Sequence, residues 1–172
     1  MLASLVSRRD FCVRLTPLVS ALALTGPFAP TSEAGPAAAA EDISHSAESI
    51  HQDLRFKATA ERIYEALLDE KQFAAITGGA ARIDRVAGGA FSLFDGRIKG
   101  RNVDLSTNRL VVQAWRSEAW RPTIYSIVRF DLSRQGDTTR LIFDHTGFPV
   151  GEAQSLFSGW KSHYWDALEK LV

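Results

Sequence analysis

Apolar and polar positions are ordered along the chain only from about Ile50 onward. His51–Lys57 alternates loosely and predicts a first strand. Thr59 stands where a helix N-cap is expected, with Glu61 in the first turn, favourable at the positive end of the dipole. Ala60, Ile63, Tyr64 and Leu67 then recur at three and four, the spacing of a buried helix face. A short second helical turn carries Phe73 and Ile76 and stops at Gly78-Gly79. Strand patterns separated by turn signals follow: Ala81–Val86 to Gly88-Gly89, Ala90–Phe94 to a bend at Asp95-Gly96, Arg97–Asp104 to Thr107-Asn108, and Leu110–Trp115. In Thr123–Leu132, Ile124, Ser126, Val128, Phe130 and Leu132 share one face. Gln135-Gly136-Asp137 makes a hairpin turn into Thr138–Thr146, where Leu141, Phe143 and His145 share a face taken as inward. The last segment is helical: Ala153, Leu156, Phe157, Trp160, Tyr164, Leu168 and Leu171 form one stripe, with Trp165 about a third of a turn off it.

Consecutive strands with short turns predict an antiparallel meander. A long helix with an apolar stripe must bury that stripe against the meander's concave face. The fold class is therefore α+β, a curved antiparallel sheet wrapped around a long C-terminal helix. A space between such a sheet and helix is a common ligand site.

The first forty residues are different material. Four of the six prolines precede residue 41, and all four tryptophans follow it. Ser7-Arg8-Arg9-Asp10-Phe11 resembles a bacterial twin-arginine export signal. An apolar run from Leu15 to Leu24 and the small residues Ala37-Ala38-Ala39-Ala40 complete the tripartite pattern of a signal peptide. The apolar run falls short of the roughly 20 residues that span a bilayer, so no permanent membrane anchor is expected. The expected organisation is a signal peptide over 1–40, a linker over 41–49 and one domain over 50–172. Export would use the twin-arginine machinery and deliver a periplasmic or secreted protein. Cys12 precedes the apolar run, so no lipoprotein signal is visible, and the mature chain would hold no cysteine.

Charge narrows the partners. Lys+Arg and Asp+Glu number 20 each in the 172-residue chain, which opposes a strongly basic nucleic-acid binder. Cleavage near Ala40 would leave 17 basic and 18 acidic residues, again without a dense block of one sign. One cysteine and four scattered histidines make no metal-ligand pattern. Gly-x-Ser-x-Gly, His-Glu-x-x-His and phosphate-loop motifs are absent, so no cofactor, metal or catalytic residue is expected.

Several short pieces then carry a family resemblance: Phe56-Lys57-Ala58, Ile63-Tyr64-Glu65-Ala66-Leu67, Gly88-Gly89-Ala90-Phe91 with Asp95-Gly96, Gln113-Ala114-Trp115-Arg116, Asp144-His145-Thr146-Gly147-Phe148-Pro149, and Gly159-Trp160 with Tyr164-Trp165. In this order they resemble the START-like, helix-grip superfamily, also called SRPBCC. Within it the chain is similar to the family named for the C-terminal domain of the activator of heat shock protein 90 ATPase. The resemblance implies the helix-grip fold and usually a cavity. It does not imply one activity, because members include ligand carriers, sensors, cyclases and co-chaperone domains.

Phe94, Trp115, Trp160 and Tyr164 are the candidate cavity-lining residues, the alternative being plain core packing. His145 is either a buried histidine satisfied by hydrogen bonds or a ligand contact. Asp144 and His145 are neighbours on a strand and point to opposite faces, so they cannot pair with each other. Arg97, Arg101 and Arg116 either anchor an anionic head group at the cavity mouth or solvate the surface. The leading expectation is an exported module holding a small hydrophobic or amphipathic ligand. The alternatives are a co-chaperone stimulating a heat shock protein 90 ATPase and a cyclase- or hydrolase-type enzyme. The enzyme would need an acid–base pair such as His145 with His163 or Tyr164.

Overall fold

The turn chemistry determines how the strands connect, because each short loop returns the chain beside the strand it has just left. The computed structural model describes residues 47–171. The proposed signal peptide and most of the proposed linker, through residue 46, lie outside them. β1 (Ala47–Phe56) is followed by α1 (Ala60–Leu68) and α2 (Glu70–Thr77). Next come β2 (Ala81–Ile83), β3 (Ala90–Leu93), a 3₁₀ turn (Phe94–Gly96), β4 (Ile98–Ser106), β5 (Leu110–Ser117), β6 (Ser126–Gln135) and β7 (Thr138–Pro149). The chain ends in α3 (Ala153–Trp160), which runs through a π turn (Lys161–Trp165) into α4 (Asp166–Leu168). The seven strands form one antiparallel sheet in the order β1-β7-β6-β5-β4-β3-β2. This is the α+β helix-grip architecture expected from the sequence. Among the described residues no helix is long and apolar enough to cross a membrane.

The helix starts follow the sequence. Thr59 Oγ1 accepts the Arg62 amide at 3.2 Å and caps α1. Asp69 caps α2 through the Lys71 and Gln72 amides. Gly78 ends α2 in the left-handed conformation, at φ 73°. On β6 the buried residues are Ser126, Val128, Phe130 and Leu132, and on β7 Leu141, Phe143 and His145. Both inward faces are the ones predicted. Against them pack Trp160, Tyr164, Trp165 and Leu168 from the C-terminal helix, and Ile63, Leu67 and Phe73 from α1 and α2.

Besides shifts of one to three residues at strand ends, such as β6 running from Ser126 to Gln135 and not Thr123 to Leu132, four details differ from the expectation. β1 begins at Ala47, so the last three positions read as linker belong to the strand. Across from them the partner strand β7 continues to Pro149 and supplies the hydrogen bonds. β2 stops at Ile83 because Asp84–Gly89 folds into a tight turn, in which the Gly89 amide donates to the Val86 carbonyl. Phe157, placed on the buried stripe, is 45% exposed, whereas Trp165, placed off it, is buried. The π turn accounts for the Trp165 difference. It widens one turn by a residue, so the register of the stripe shifts and Tyr164 and Trp165 both face the core.

Candidate functional site

The residues gathered between α3 and the β4–β5 end of the sheet come from four places in the chain. Phe94 lies on the 3₁₀ turn, Ile98 begins β4, Trp115 lies on β5, and Leu156, Trp160 and Tyr164 lie on the terminal helix. They form the wall of a cavity of about 230 Å³, whose lining also includes Arg97, Ser117, Glu152, Ser155, Gly159 and His163. Four of the five predicted site residues, Phe94, Trp115, Trp160 and Tyr164, therefore meet at one cavity. A dry cavity of roughly 150 Å³ accepts benzene, so this one has room for a one- or two-ring molecule.

Each wall has a local cause. Phe94 and Asp95 take positive φ, 51° and 58°, which turns the chain sharply between β3 and β4. The Phe94 ring then packs edge-on against Phe73 at 5.4 Å and Tyr164 at 6.0 Å. Gly79 permits this, since a Cβ there would meet the Phe94 ring. Gly159 leaves the helix wall open: a Cβ there would meet nothing within 4 Å. The π turn supplies His163 and Tyr164 to the lining, in keeping with the frequency of π turns at functional sites.

His145, the fifth predicted residue, is fully buried and outside the cavity lining. The Trp160 indole N–H donates to Nδ1 at 3.0 Å, and Ser126 Oγ lies 2.7 Å from Nε2. An indole nitrogen can only donate, so Nδ1 must be the acceptor and Nε2 carries the proton. Nε2–H then donates to Ser126 Oγ, whose hydroxyl donates to the Trp115 carbonyl at 3.1 Å. Burial lowers the His145 pKa to about 3, and the imidazole is neutral. Both ring nitrogens are engaged, so the acid–base pairing of His145 with His163 or Tyr164 is not made. His145 instead fixes Trp160, and through it the cavity wall. Asp144, on the opposite face as expected, accepts from or pairs with His51 Nδ1 at 2.6 Å.

Two polar atoms beside the cavity face each other without meeting the full geometry of a hydrogen bond. The Trp115 indole N–H and the Tyr164 hydroxyl are buried, and neither completes a hydrogen bond. Burial pushes the Tyr164 phenol well above its ordinary range, with Trp115 acting in the other direction. Tyr164 is thus a neutral hydroxyl, able to donate or accept.

The three candidate anchors separate. Arg97 borders the cavity, whereas Arg101 and Arg116 line a groove on the other face of the sheet. The sequence reading did not assign Ile98, Leu156 or Gly159 to the site. Leu156 had a signal in its place on the apolar stripe, and Gly159 in being a glycine inside that helix, which usually has a packing reason. Among the described residues no group of three or more His, Cys, Asp or Glu could hold a metal ion.

Comparison with known proteins places this geometry in a family context. Residues 57–172 match the family model described as activator of Hsp90 ATPase homolog 1-like protein. The activator of 90 kDa heat shock protein ATPase homolog 2 of Mus musculus is 26% identical over 72% of this chain and 38% of its own length. An uncharacterized protein of Schizosaccharomyces pombe is 30% identical over 67% of this chain and 34% of its own. The chain thus spans about a third of the length of these curated relatives. A solved structure of an HSP90 activator from Plasmodium falciparum superposes with a TM-score of 0.67 at 24% identity, covering 70% of this chain and 93% of that one.

Proposed function

Because the chain belongs to the family of activator of Hsp90 ATPase homolog 1-like proteins, with its helix-grip fold, we propose that it binds a small hydrophobic or amphipathic molecule between sheet and terminal helix. The observation that carries the reading is the convergence of Phe94, Trp115, Trp160 and Tyr164 on one cavity, beside a buried indole N–H and phenol hydroxyl that do not complete a hydrogen bond. A buried polar group without a partner costs about 1–3 kcal/mol, and a ligand oxygen accepting from Trp115 or Tyr164 would recover it. Aromatic rings supply the contact area, and Arg97, Glu152 and His163 stand at the polar side of the lining.

The test is native mass spectrometry of protein from its own host, together with titration of an environment-sensitive fluorescent lipid analogue. Gly159→Leu fills the cavity from the helix wall and replaces a residue of low helix propensity. The substitution should abolish probe uptake while leaving the fold intact. Equal uptake by the variant would move the site elsewhere.

We propose in addition that the protein is exported. Ser7-Arg8-Arg9-Asp10-Phe11 and the alanine-rich end at Ala40 support this. A second reading, stimulation of an Hsp90-type ATPase, is supported by the names of the relatives. It does not require the cavity, so the Gly159→Leu variant separates the two.

A further inference from the structure

The outer face of the sheet carries charge that the cavity does not use. Strand register sets Arg82 opposite Ser92, Ser92 opposite Lys99, and Lys99 opposite Arg116. Two residues along, Ala90 lies opposite Arg101, Arg101 opposite Ala114, and Ala114 opposite Ile127. Ile83, Phe91 and Trp115 are buried on the other face, so both rows point outward. The small Ala90, Ser92 and Ala114 leave an open groove of about 500 Å³ between the long side chains of Lys99, Arg101 and Arg116, bordered by Tyr125.

The two halves of this outer face are treated differently. On β1, β7 and β6 three basic side chains meet a carboxylate, Arg140 with Asp53 at 2.8 Å, Arg129 with Asp131 at 2.7 Å and His51 with Asp144 at 2.6 Å, while Arg55, opposite Arg140, makes no ion pair among the described residues. Among the described residues Arg82, Lys99, Arg101 and Arg116 make no ion pair. Arg101 donates to the Gly88 carbonyl, and the Arg116 guanidinium stands 6.0 Å over the Tyr125 ring. Glu70 and Asp95 border the adjoining side of Lys99, but Glu70 is engaged by the Ile83 amide. Like charges directly opposite on neighbouring strands destabilise a sheet, and Lys99 with Arg116 is such a pair.

We propose that this groove docks a partner protein through a segment bearing two or three carboxylates around an apolar side chain. The carboxylates would bridge Lys99, Arg101 and Arg116. The apolar side chain would lie on Tyr125 and Ile127, which are 51% and 42% exposed. Two inter-strand spacings, about 10 Å, match the width of one extended chain. Arg and Tyr are the residue types enriched in protein interfaces. The chain carries no overall excess of positive charge of the kind typical of nucleic-acid binders. This proposal stands independently of the cavity.

The probe is a fluorescein-labelled Glu-Glu-Phe-Glu-Glu peptide, read by anisotropy with the full chain. Saturable binding that weakens with added salt is expected. Lys99→Glu with Arg116→Glu should weaken it by about tenfold or more, a loss of about 1.4 kcal/mol. Lys99→Gln with Arg116→Gln should weaken it in the same direction, which covers the case that charge reversal unfolds the sheet. Arg55→Glu, on β1, should leave it unchanged. Four results would overturn the proposal: no saturable peptide binding, no loss in either double variant, an equal loss in Arg55→Glu, or tighter binding of oligothymidylate or phosphatidylglycerol vesicles than of the peptide.

Discussion

Protonation of His145 would make both ring nitrogens donors while the Trp160 N–H still points at Nδ1. The buried fold therefore holds the neutral form, with a pKa of about 3 against 6.5 for the free side chain. The folded-state pKa is depressed, so the unfolded chain takes up the proton first as pH falls. The contribution of His145 to stability is complete above about pH 6.5 and is lost between there and about pH 3, by up to about 1.4 kcal/mol per pH unit. Urea midpoints at pH 7.5 and pH 5 should show the fall, and His145→Asn should flatten the part due to this side chain. Trp160→Ala should cost about 3–5 kcal/mol, since the indole is buried and fixed. Trp160→Phe keeps most of the packing but strands Nδ1, and should cost about 1–3 kcal/mol. Denaturation midpoints rank the two. An unchanged midpoint for Trp160→Ala would contradict the burial of the helix stripe.

The terminal helix does its work through an irregularity. Had α3 continued with α spacing, Trp165 would have stayed off the stripe. The π turn brings it inward, and its indole N–H reaches Gln52 Oε1 on β1 at 3.0 Å. Deleting Ser162, an exposed residue of that turn, removes the extra residue and should leave a regular α-helix with Trp165, now four positions after Trp160, still facing the core. Tryptophan emission should stay near that of the parent chain, and a red shift with a loss of about 3–5 kcal/mol, that of removing a buried tryptophan, would contradict this account of the turn. The turn between β3 and β4 has a parallel sensitivity. A Cβ at Gly79 would lie 2.3 Å from Phe94 Cδ1, so Gly79→Ala must displace a ring that also forms a cavity wall. Overpacking of this kind costs about 1–3 kcal/mol, and probe uptake should fall with it. Uptake and stability both unchanged would mean that the Phe94 ring yields freely.

At the scale of the molecule, location and partners distinguish the readings. N-terminal sequencing of periplasmic material should find a start near Glu41. Arg8→Lys with Arg9→Lys should hold the precursor inside, because the transporter reads the arginine pair as an address. Recovery of the intact chain in the cytoplasm of a competent host would contradict export. The cavity reading also expects no acceleration of ATP hydrolysis when the domain is added to a bacterial Hsp90 homologue. Saturable, several-fold acceleration at micromolar concentrations would favour the reading taken from the relatives' names. If that acceleration were lost in the Lys99→Glu, Arg116→Glu double variant, the outer groove would be its docking surface.

Periodicity determined what is local. Thr59, Gly78, the two faces of β6 and β7 and the existence of a terminal apolar stripe depend on residues near one another in sequence, and each was legible. That Phe94, Trp115, Trp160 and Tyr164 would meet in space was also legible, because large aromatics at inward positions must converge where sheet and helix meet. Register across strands and phase along the helix were not legible. They depend on where a bulge, a π turn or a tight loop inserts one residue, and the hydrogen-bond partners that stabilise such an insertion come from distant segments. The sequence therefore left His145 open between a buried, hydrogen-bonded histidine and a ligand contact; it is the former, the support behind the cavity wall, held by Ser126 and Trp160. Arg97, Arg101 and Arg116 looked like one group and stand on two faces of the sheet. Arg82, Lys99, Arg101 and Arg116 formed no block in the sequence, and became one only when antiparallel pairing set four strands side by side. Charge density on a sheet is a property of register, and register is decided by tertiary structure.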